Sequence, residues 1–263
     1  MMYTGVDTCV RIPDAQLLHD KGVGFVGRYL VPAEYYDKAI TAAEASRLRA
    51  AGLAVLLCWE TEAARAAEGI RAGATDGERA KKCAEALGVA ESAAIYFAVD
   101  YVPNLRDYDA IEAYFRAAGH ACAPFGCGIY GPFGIVEEMV RRIPTLYVWQ
   151  CVGGSGGKLS ASADVYQYQA QGGAEAKALA AELGYNVDLN RCEDLTKAGM
   201  WLPQEKKPWY ADTVAWALKE GVVAEARPTD YATRAEVMQM IRNYNRRFEE
   251  EDPANFSGAL TDD

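Results

Sequence analysis

The sequence predicts an α/β fold, a short (β/α)8 TIM-type barrel followed by a small C-terminal helical module. Three observations carry this prediction: eight short apolar runs fall in the first 190 residues, helical stretches separate most of them, and each run ends on or beside a polar side chain. Strands buried on both faces give near-continuous apolar runs, and intervening helices imply parallel pairing. The C-terminal strand ends of such a barrel form one rim, where reactive groups gather.

The eight predicted strands place a polar side chain at this rim from almost every run. They cover residues 3–7, 23–28, 53–60, 94–100, 125–130, 145–150, 163–167 and 185–188. The side chains at their ends are those of Asp7, Arg28, Glu60, Asp100, Tyr130, Gln150, Gln167 and Asp188. Several carboxylates with aromatic neighbours are typical of a site that binds or cleaves sugars.

Helix signals lie between the strands. Thr41 and Glu44 form a capping-box pattern that starts a helix ending near residue 51, and Asp76 is expected to cap a helix that ends at Gly88. Further helices are predicted over 107–118, 132–142 and 174–183. Residues 153–162 are rich in Gly and Ser without a helical period, which predicts a loop between the sixth and seventh strands.

Composition argues against several functions. The formal charge is −10 and the pI is near 4.9, whereas a nucleic-acid partner needs clustered Lys and Arg. The two histidines, His19 and His120, fall in helix-like segments, so neither a His-based triad nor a zinc site is expected. No metal or other cofactor is predicted.

The sequence pattern predicts synthesis in the cytoplasm without a signal peptide. The start MMYTGVD leads into the first strand with no basic and then apolar leader, and no apolar stretch approaches the ~20 residues of a membrane span. The seven cysteines are an odd number without a CxxC pair, which fits a reducing compartment.

The composition changes after the barrel. We predict a barrel domain over 1–195, a linker over 196–208 with two prolines and a charged QEKK, and a helical module over 209–248. Its two helices are expected at 212–219 and 234–247. Residues 249–263 form an acidic tail, which we expect to be disordered.

Ordered motifs along residues 2–191 resemble a known enzyme family. GVD in the first strand, VD in the fourth, IYG in the fifth, WQ in the sixth and VDLN near the eighth are similar to glycoside hydrolase family 25 muramidases. GFVGRYL, LCWE, AIYFAVDY and GIYGP more closely resemble a divergent relative, the bacterial and phage glycoside-hydrolase-like domains of unassigned activity. The resemblance implies a short barrel that acts on peptidoglycan.

One departure from the muramidase pattern affects the predicted chemistry. Those enzymes carry Asp-x-Glu after the fourth strand, with Glu as proton donor, and here Val102 occupies that position. Glycoside cleavage needs a protonated carboxylic acid and a second carboxylate. We therefore expect Glu60 to be the donor, with its pKa raised by the apolar wall of Trp59, and Asp100 to be its partner.

Asp7 and Asp188 complete the predicted catalytic group, because they would shape the field and hold sugar hydroxyls. The alternatives are structural: these two aspartates could accept backbone N–H groups where the barrel closes, and Glu60 could form an ion pair with Arg28. The side chains expected to bind substrate are those of Arg28, Trp59, Tyr101, Tyr130, Gln150 and Gln167.

The C-terminal segment resembles a single S-layer homology module. The matching pieces are WYAD at 209–212, the helix VAWALKEGVV, and TRAE at 233–236. The resemblance implies binding of a wall polysaccharide through residues such as Trp209 and Arg234, and a homo-oligomer could form through the module, because the family uses three copies. A plain packing module is the alternative.

Taken with the resemblance, the site predicts a cell-wall glycan hydrolase of the endolysin or muramidase type. Its partner would be peptidoglycan or another wall polysaccharide, reached after release from the cytoplasm. The main alternative is a non-catalytic glycan-binding protein on a degenerate glycosidase barrel, which the valine at position 102 favours. An enzyme acting on a small intracellular sugar ranks last.

Overall fold

The computed structural model describes residues 2–204, 211–221 and 237–243. The chain divides into two compact units, Met1–Gln204 and Glu205–Asp263. The first unit contains a closed barrel of eight strands in sequential order, which confirms the predicted fold class. Residues 196–204, which the sequence analysis assigns to the linker, belong to this first unit.

Most of the barrel strands run in one direction. Neighbours from β1 to β7 pair in parallel. The strands are β1 (Tyr3–Asp7), β2 (Val23–Tyr29), β3 (Ala54–Trp59), β4 (Ala94–Ala98), β5 (Gly126–Gly131), β6 (Tyr147–Cys151), β7 (Val165–Gln169) and β8 (Asp188–Cys192). The parallel strands bring their C-terminal ends to one rim.

Strand β8 runs opposite to both of its neighbours. It pairs antiparallel with β1 and β7, and Asp188 lies opposite Asp7 in the register. The strand predicted over 185–188 is therefore wrong in bounds and direction, because β8 starts at Asp188 instead of ending there. An antiparallel strand begins where its neighbours end, so Asp188 still reaches the predicted rim.

Helices follow most of the strands, as predicted. They are α1 (Ala15–Asp20), α2 (Ala42–Ala50), α3 (Ile70–Leu87), α4 (Tyr108–Cys122), α5 (Phe133–Arg142) and α6 (Ala174–Leu183). One more helix, α7 (Ala211–Lys219), belongs to the second unit. The Thr41 hydroxyl accepts the N–H of Glu44 at 3.2 Å, which confirms the predicted cap of α2. Residues 152–164, between β6 and β7, form the predicted loop.

Helix α3 begins at Ile70, so the cap predicted at Asp76 is wrong. Asp76 lies inside the helix, buried, where its carboxylate accepts from the Tyr114 hydroxyl at 2.8 Å and from Arg65 Nε at 3.2 Å. Gly73 lets α3 approach α4, because a Cβ there would be 2.2 Å from the carbonyl oxygen of Tyr114. The packing partner Tyr114 lies far from Gly73 and Asp76 in the sequence. The sequence alone therefore does not show the helix contact, and its glycines look like those of a turn.

The chain after β8 closes the end of the barrel at which the parallel strands begin. The backbones of Val55 and Trp201 exchange two N–H···O bonds of 2.9 Å, and the Tyr96 hydroxyl donates to the Ala198 carbonyl at 2.7 Å. Ala198 and Met200 pack with the apolar side chains of the barrel interior. The cavity described below therefore opens at the opposite end.

The second unit is described only in part. Its described residues include α7, which starts one residue before the helix predicted at 212–219, and a helical stretch at 237–243, which lies inside the helix predicted at 234–247. Trp209, Arg234 and the acidic tail lie outside the described residues. In the part of the chain that the structure describes, no helix is both long and apolar enough to cross a membrane.

Candidate active site

A cavity of about 360 Å³ opens at the rim formed by the ends of β1 to β7 and the start of β8. All four predicted carboxylates line it, together with three of the predicted binding residues. These seven are Asp7, Glu60, Asp100, Asp188, Tyr101, Tyr130 and Gln167. The structure therefore brings the predicted acidic group together, and the catalytic roles stay predictions.

Asp7 and Asp188 are joined through one side-chain amide. Gln167 Nε2 donates to Asp7 Oδ2 at 3.0 Å and to Asp188 Oδ2 at 3.1 Å. Asn190 Nδ2 donates to the same Asp7 oxygen at 2.6 Å, and the backbone N–H of Gln171 donates to Asp188 Oδ1 at 2.6 Å. The two carboxyl groups are thus held side by side on neighbouring strands.

Two aromatic side chains contact the oxygens of these amides. Trp149 Nε1 can only donate, and it contacts Asn190 Oδ1 at 2.9 Å, so Asn190 Nδ2 must face Asp7. Likewise the Tyr130 hydroxyl contacts Gln167 Oε1 at 3.1 Å, and the Gln167 NH₂ group faces the two carboxyl groups. Sequence reasoning missed Asn190, although it lies two residues after Asp188 and so shares its face of the strand.

Burial changes the acidity of this pair. Asp7 is buried, which raises its pKa to about 7; the charge of Asp188 adds to the rise, and the hydrogen bonds from Gln167 and Asn190 oppose it. Burial also raises the pKa of Asp188, while the Gln171 N–H lowers it and the charge of Asp100 raises it. Asp7 is thus about half protonated near neutral pH.

Glu60 and Asp100 form the second acidic pair of the cavity. Lys38 Nζ donates to Glu60 Oε2 at 3.1 Å and lies 4.2 Å from the centre of the Tyr29 ring. Burial and the charge of Glu60 raise the pKa of Asp100, whereas Lys38 lowers it. Glu60 is therefore ion-paired with Lys38 inside the cavity.

Arg28 lies outside the cavity, so its predicted role in substrate binding is wrong. The side chain is fully buried on the outer face of β2, where Nε donates to Glu44 Oε1 at 2.9 Å and Nη1 donates to the Thr8 carbonyl at 2.7 Å. The ion pair that the sequence analysis considers between Arg28 and Glu60 is replaced by Arg28–Glu44 and Lys38–Glu60.

Trp59 and Gln150 also point away from the cavity, which corrects two further predictions. Trp59 is buried in the outer core, so it does not form an apolar wall for Glu60. Gln150 is buried and holds the loop after β6, because Nε2 donates to the Lys158 carbonyl at 2.7 Å and Oε1 accepts from the Ser160 N–H at 2.7 Å. Gln150 therefore supports the rim without contacting the cavity.

Tyr101 and Val102 form the mouth of the cavity. Tyr101 lines the cavity, and its hydroxyl is buried and pairs with no residue among those described. Val102, at the muramidase donor position, is 68% exposed and contacts the loop after β6, since a Cβ on Gly154 would lie 2.7 Å from it. The described residues contain no cluster suited to a metal ion.

An eight-stranded barrel with an acidic cavity at the rim of its strand ends is the architecture of a glycoside-hydrolase-like protein. The chain belongs to the family of Rv2525c-like, glycoside hydrolase-like domains, whose model matches residues 16–250. This confirms the resemblance to a glycoside-hydrolase-like domain. The S-layer-homology resemblance stays a prediction.

Solved structures share the fold. The Tat-secreted protein Rv2525c of Mycobacterium tuberculosis, in complex with L-tartrate, has a TM-score of 0.65 at 24% identity, covering 76% of this chain and 98% of that one. An uncharacterised B. stearothermophilus protein gives 0.56 at 20% identity, with 76% and 100% covered. The autolysin LytC of Streptococcus pneumoniae, in complex with a synthetic peptidoglycan ligand, gives 0.53 at 12% identity, with 73% and 47% covered. No curated protein matches the sequence.

The predicted cytoplasmic location is wrong. Rv2525c, which shares this fold over nearly its whole length, is a Tat-secreted protein. That finding overturns the expectation that the chain accumulates in the cytoplasm and is released without export.

Proposed function

We propose that the protein is a glycoside hydrolase that cleaves a cell-wall glycan of the peptidoglycan type outside the cytoplasm. The observation that carries the proposal is the pair Asp7 and Asp188, bound to one amide nitrogen at the rim of a glycosidase-like barrel. The peptidoglycan ligand of LytC and the secretion of Rv2525c support the choice of substrate and location.

Asp7 is the proton donor in this proposal. A general acid must hold its proton near the working pH, and Asp7 is the cavity carboxyl whose pKa is raised to about 7. Both amide donors bind Oδ2, which leaves Oδ1 to carry the proton toward the glycosidic oxygen. This replaces the role that the sequence analysis assigns to Glu60.

Asp188 is the second carboxylate, which stabilises or attacks the sugar cation. Because Asp7 Oδ2 and Asp188 Oδ2 share Gln167 Nε2 at 3.0 and 3.1 Å, these two oxygens are no farther apart than the sum of these distances. That limit lies below the ~6.5–9.5 Å separation of an inverting pair. We therefore expect retention of the anomeric configuration.

Glu60, Asp100 and Tyr101 bind the substrate in this arrangement. Carboxylates accept hydrogen bonds from sugar hydroxyls, an aromatic ring can pack against a sugar face, and all three side chains line the cavity that contains the Asp7–Asp188 pair. The ring of Tyr130 borders the same space.

The test is mass analysis of purified peptidoglycan after incubation with the protein. We expect new reducing ends with the wild type, and a loss of about 10²-fold or more with Asp7→Asn and Asp188→Asn, since each removes a reacting group. Asp164→Asn is the control: Asp164 is a partly buried carboxyl whose pKa is also raised by burial, but it lies outside this cavity. Equal activity in all four proteins would refute the assignment.

The second candidate is a glycan-binding protein that does not cleave its ligand. Val102 at the mouth of the cavity favours it, because the donor position of the muramidases is apolar here. Retained binding of soluble glycan fragments without new reducing ends, in the wild type and across pH 4 to 8, would establish this function instead.

We also propose that residues 209–248 bind a wall polysaccharide. The full chain should sediment with cell walls, and Arg234→Ala should weaken this binding, because Arg can bind an anionic sugar through two parallel hydrogen bonds. Deletion of the module without any change in sedimentation would contradict this part of the proposal and leave the barrel assignment intact.

A further inference from the structure

Two cysteine side chains lie together where α4 leads into β5. Cys122 is the last residue of α4, and Cys127 is the second residue of β5. Cys122 Sγ is 3.7 Å from the Gly119 carbonyl oxygen, and Cys127 Sγ is 4.0 Å from that of Phe115. These carbonyls lie on consecutive turns of α4, and a Cβ on Gly119 would be 3.6 Å from Cys127 Sγ.

The two thiol groups thus lie against neighbouring turns of the same helix, beside the backbone of Gly119. The remaining five cysteines lie at other places in the described structure. Cys58, Cys151 and Cys192 are buried, Cys83 is half-buried on α3, and Cys9 is exposed. The described structure thus presents one adjacent pair, Cys122 and Cys127.

We propose that Cys122 and Cys127 form an intramolecular disulfide once the protein is in an oxidising compartment. The sequence analysis links the cysteine count to a reducing compartment, and that link falls with the cytoplasmic location, which the secretion of Rv2525c overturns. The proposal rests on the proposed export and is independent of glycan cleavage.

The reaction is thiol–disulfide exchange with a small disulfide oxidant. The neighbouring Cys127 thiol lowers the pKa of the Cys122 thiol, which favours Cys122 as the attacking thiolate. It forms a mixed disulfide and releases one thiol from the oxidant. Cys127 then loses its proton, displaces the second thiol and completes the S–S bond, so two electrons and two protons pass to the oxidant.

The bond would clamp a junction at the end of the barrel opposite the candidate site. It ties the end of α4 to the start of β5, and the other end of β5 carries Tyr130, which holds Gln167. Since Cys122 is fully buried, exchange requires the last turn of α4 to open, and we expect it to be slower than exchange at the exposed Cys9.

The test uses the full chain and oxidised glutathione. After reaction under native conditions, free thiols are alkylated, and the protein is unfolded and cut with chymotrypsin, which cleaves after Phe125 between the two cysteines. We expect the two flanking peptides to stay linked, with the mass of two hydrogens lost, until a reductant separates them. Oxidation should raise the Tm by several degrees.

Cys122→Ser and Cys127→Ser should each abolish the linked peptides and the shift in Tm, whereas Cys83→Ser should keep both. Glutathione adducts without linked peptides in the wild type, or linked peptides in Cys122→Ser, would overturn the proposal. A wild-type protein that forms the bond but releases no reducing ends would leave this inference standing and refute the proposed glycosidase.

Discussion

At the scale of single residues, Asp7 is subject to two opposing effects. Burial and the charge of Asp188 favour its neutral form, while N–H groups of Gln167 and Asn190 favour the ion. Each hydrogen bond to a charged group contributes only about 1.5–3 kcal/mol, whereas desolvation of a fully buried carboxylate costs several kcal/mol. Desolvation dominates, and a carboxyl that is neutral in part at pH 7 is the result.

This acidity has a consequence for stability. In the unfolded chain Asp7 loses its proton near the ordinary pKa of 3.8, and in the folded protein near 7. The folded state therefore binds more protons between these pH values, so the contribution of Asp7 to stability falls as the pH rises from about 4 to 7.

Replacement of Asp7 by Asn should remove this penalty. We expect Asp7→Asn to unfold with a free energy up to roughly 4 kcal/mol above the wild type at pH 8, and with little difference at pH 4, since one pKa unit corresponds to about 1.4 kcal/mol. Urea unfolding at both pH values measures it. Glu91→Gln, at an exposed position, is the control, and an equal pH dependence of wild type and Asp7→Asn would contradict the assignment of this proton.

At the scale of elements, a buried ion pair connects β2 with α2. Arg28 and Glu44 are both essentially inaccessible, and Glu44 Oε1 also accepts the N–H of Ile12 at 3.0 Å. The pair thus holds the segment that follows β1, and Asp7 is the last residue of β1. A buried charge that loses its partner is costly, although the intact pair itself adds little stability.

Arg28→Met should therefore destabilise the protein by roughly 3–5 kcal/mol. Arg28→Met combined with Glu44→Leu should cost clearly less than the sum of the two single changes, because no unpaired charge remains. Thermal unfolding of the three variants gives the coupling. Additive losses would show that packing, and not charge, sets the cost.

The contact between α3 and α4 gives a second prediction at this scale. Gly73→Ala should destabilise the protein by about 1–3 kcal/mol or more, because the new Cβ meets the rigid Tyr114 carbonyl at 2.2 Å. Gly134→Ala in α5 is the matched control. There the nearest atom is the Tyr108 hydroxyl oxygen at 3.7 Å, so Ala should stabilise the helix by ~0.5–1 kcal/mol. Equal effects would show that the helices can separate freely.

At the scale of the whole molecule, the compact barrel unit ends at Gln204. We expect a chain truncated after Gln204 to keep the Tm of the barrel, because its core and closing hydrogen bonds lie within that unit. Truncation after Asp194 should lower the Tm by more than about 10 °C or prevent folding, since it removes the buried side chains of Ala198, Met200 and Trp201. A large loss in the longer chain would mean that residues 205–263 stabilise the barrel.

The sequence by itself determined the number of strands, the positions of most helices and the rim at which Asp7, Glu60, Asp100 and Asp188 meet. Apolar runs and helix caps are local patterns, so they can be recognised in the sequence without a structure. The alternation of side chains along a strand is also local. Counting in steps of two from Phe25, Cys58 and Trp149, which pack inside the barrel, leaves Arg28, Trp59 and Gln150 on the outer face.

Only the tertiary structure decided the direction of β8 and the partners of each acid. The direction of a strand depends on the strands with which it forms hydrogen bonds. The neighbours of β8 are β1 and β7, which belong to other parts of the chain. The acidity of Asp7 arises in the same way, because the charge of Asp188 and the amide of Gln167 come from residues about 160 or more positions away. Charge and desolvation act through space, so a sequence can name the carboxylates while only the fold sets which of them holds a proton.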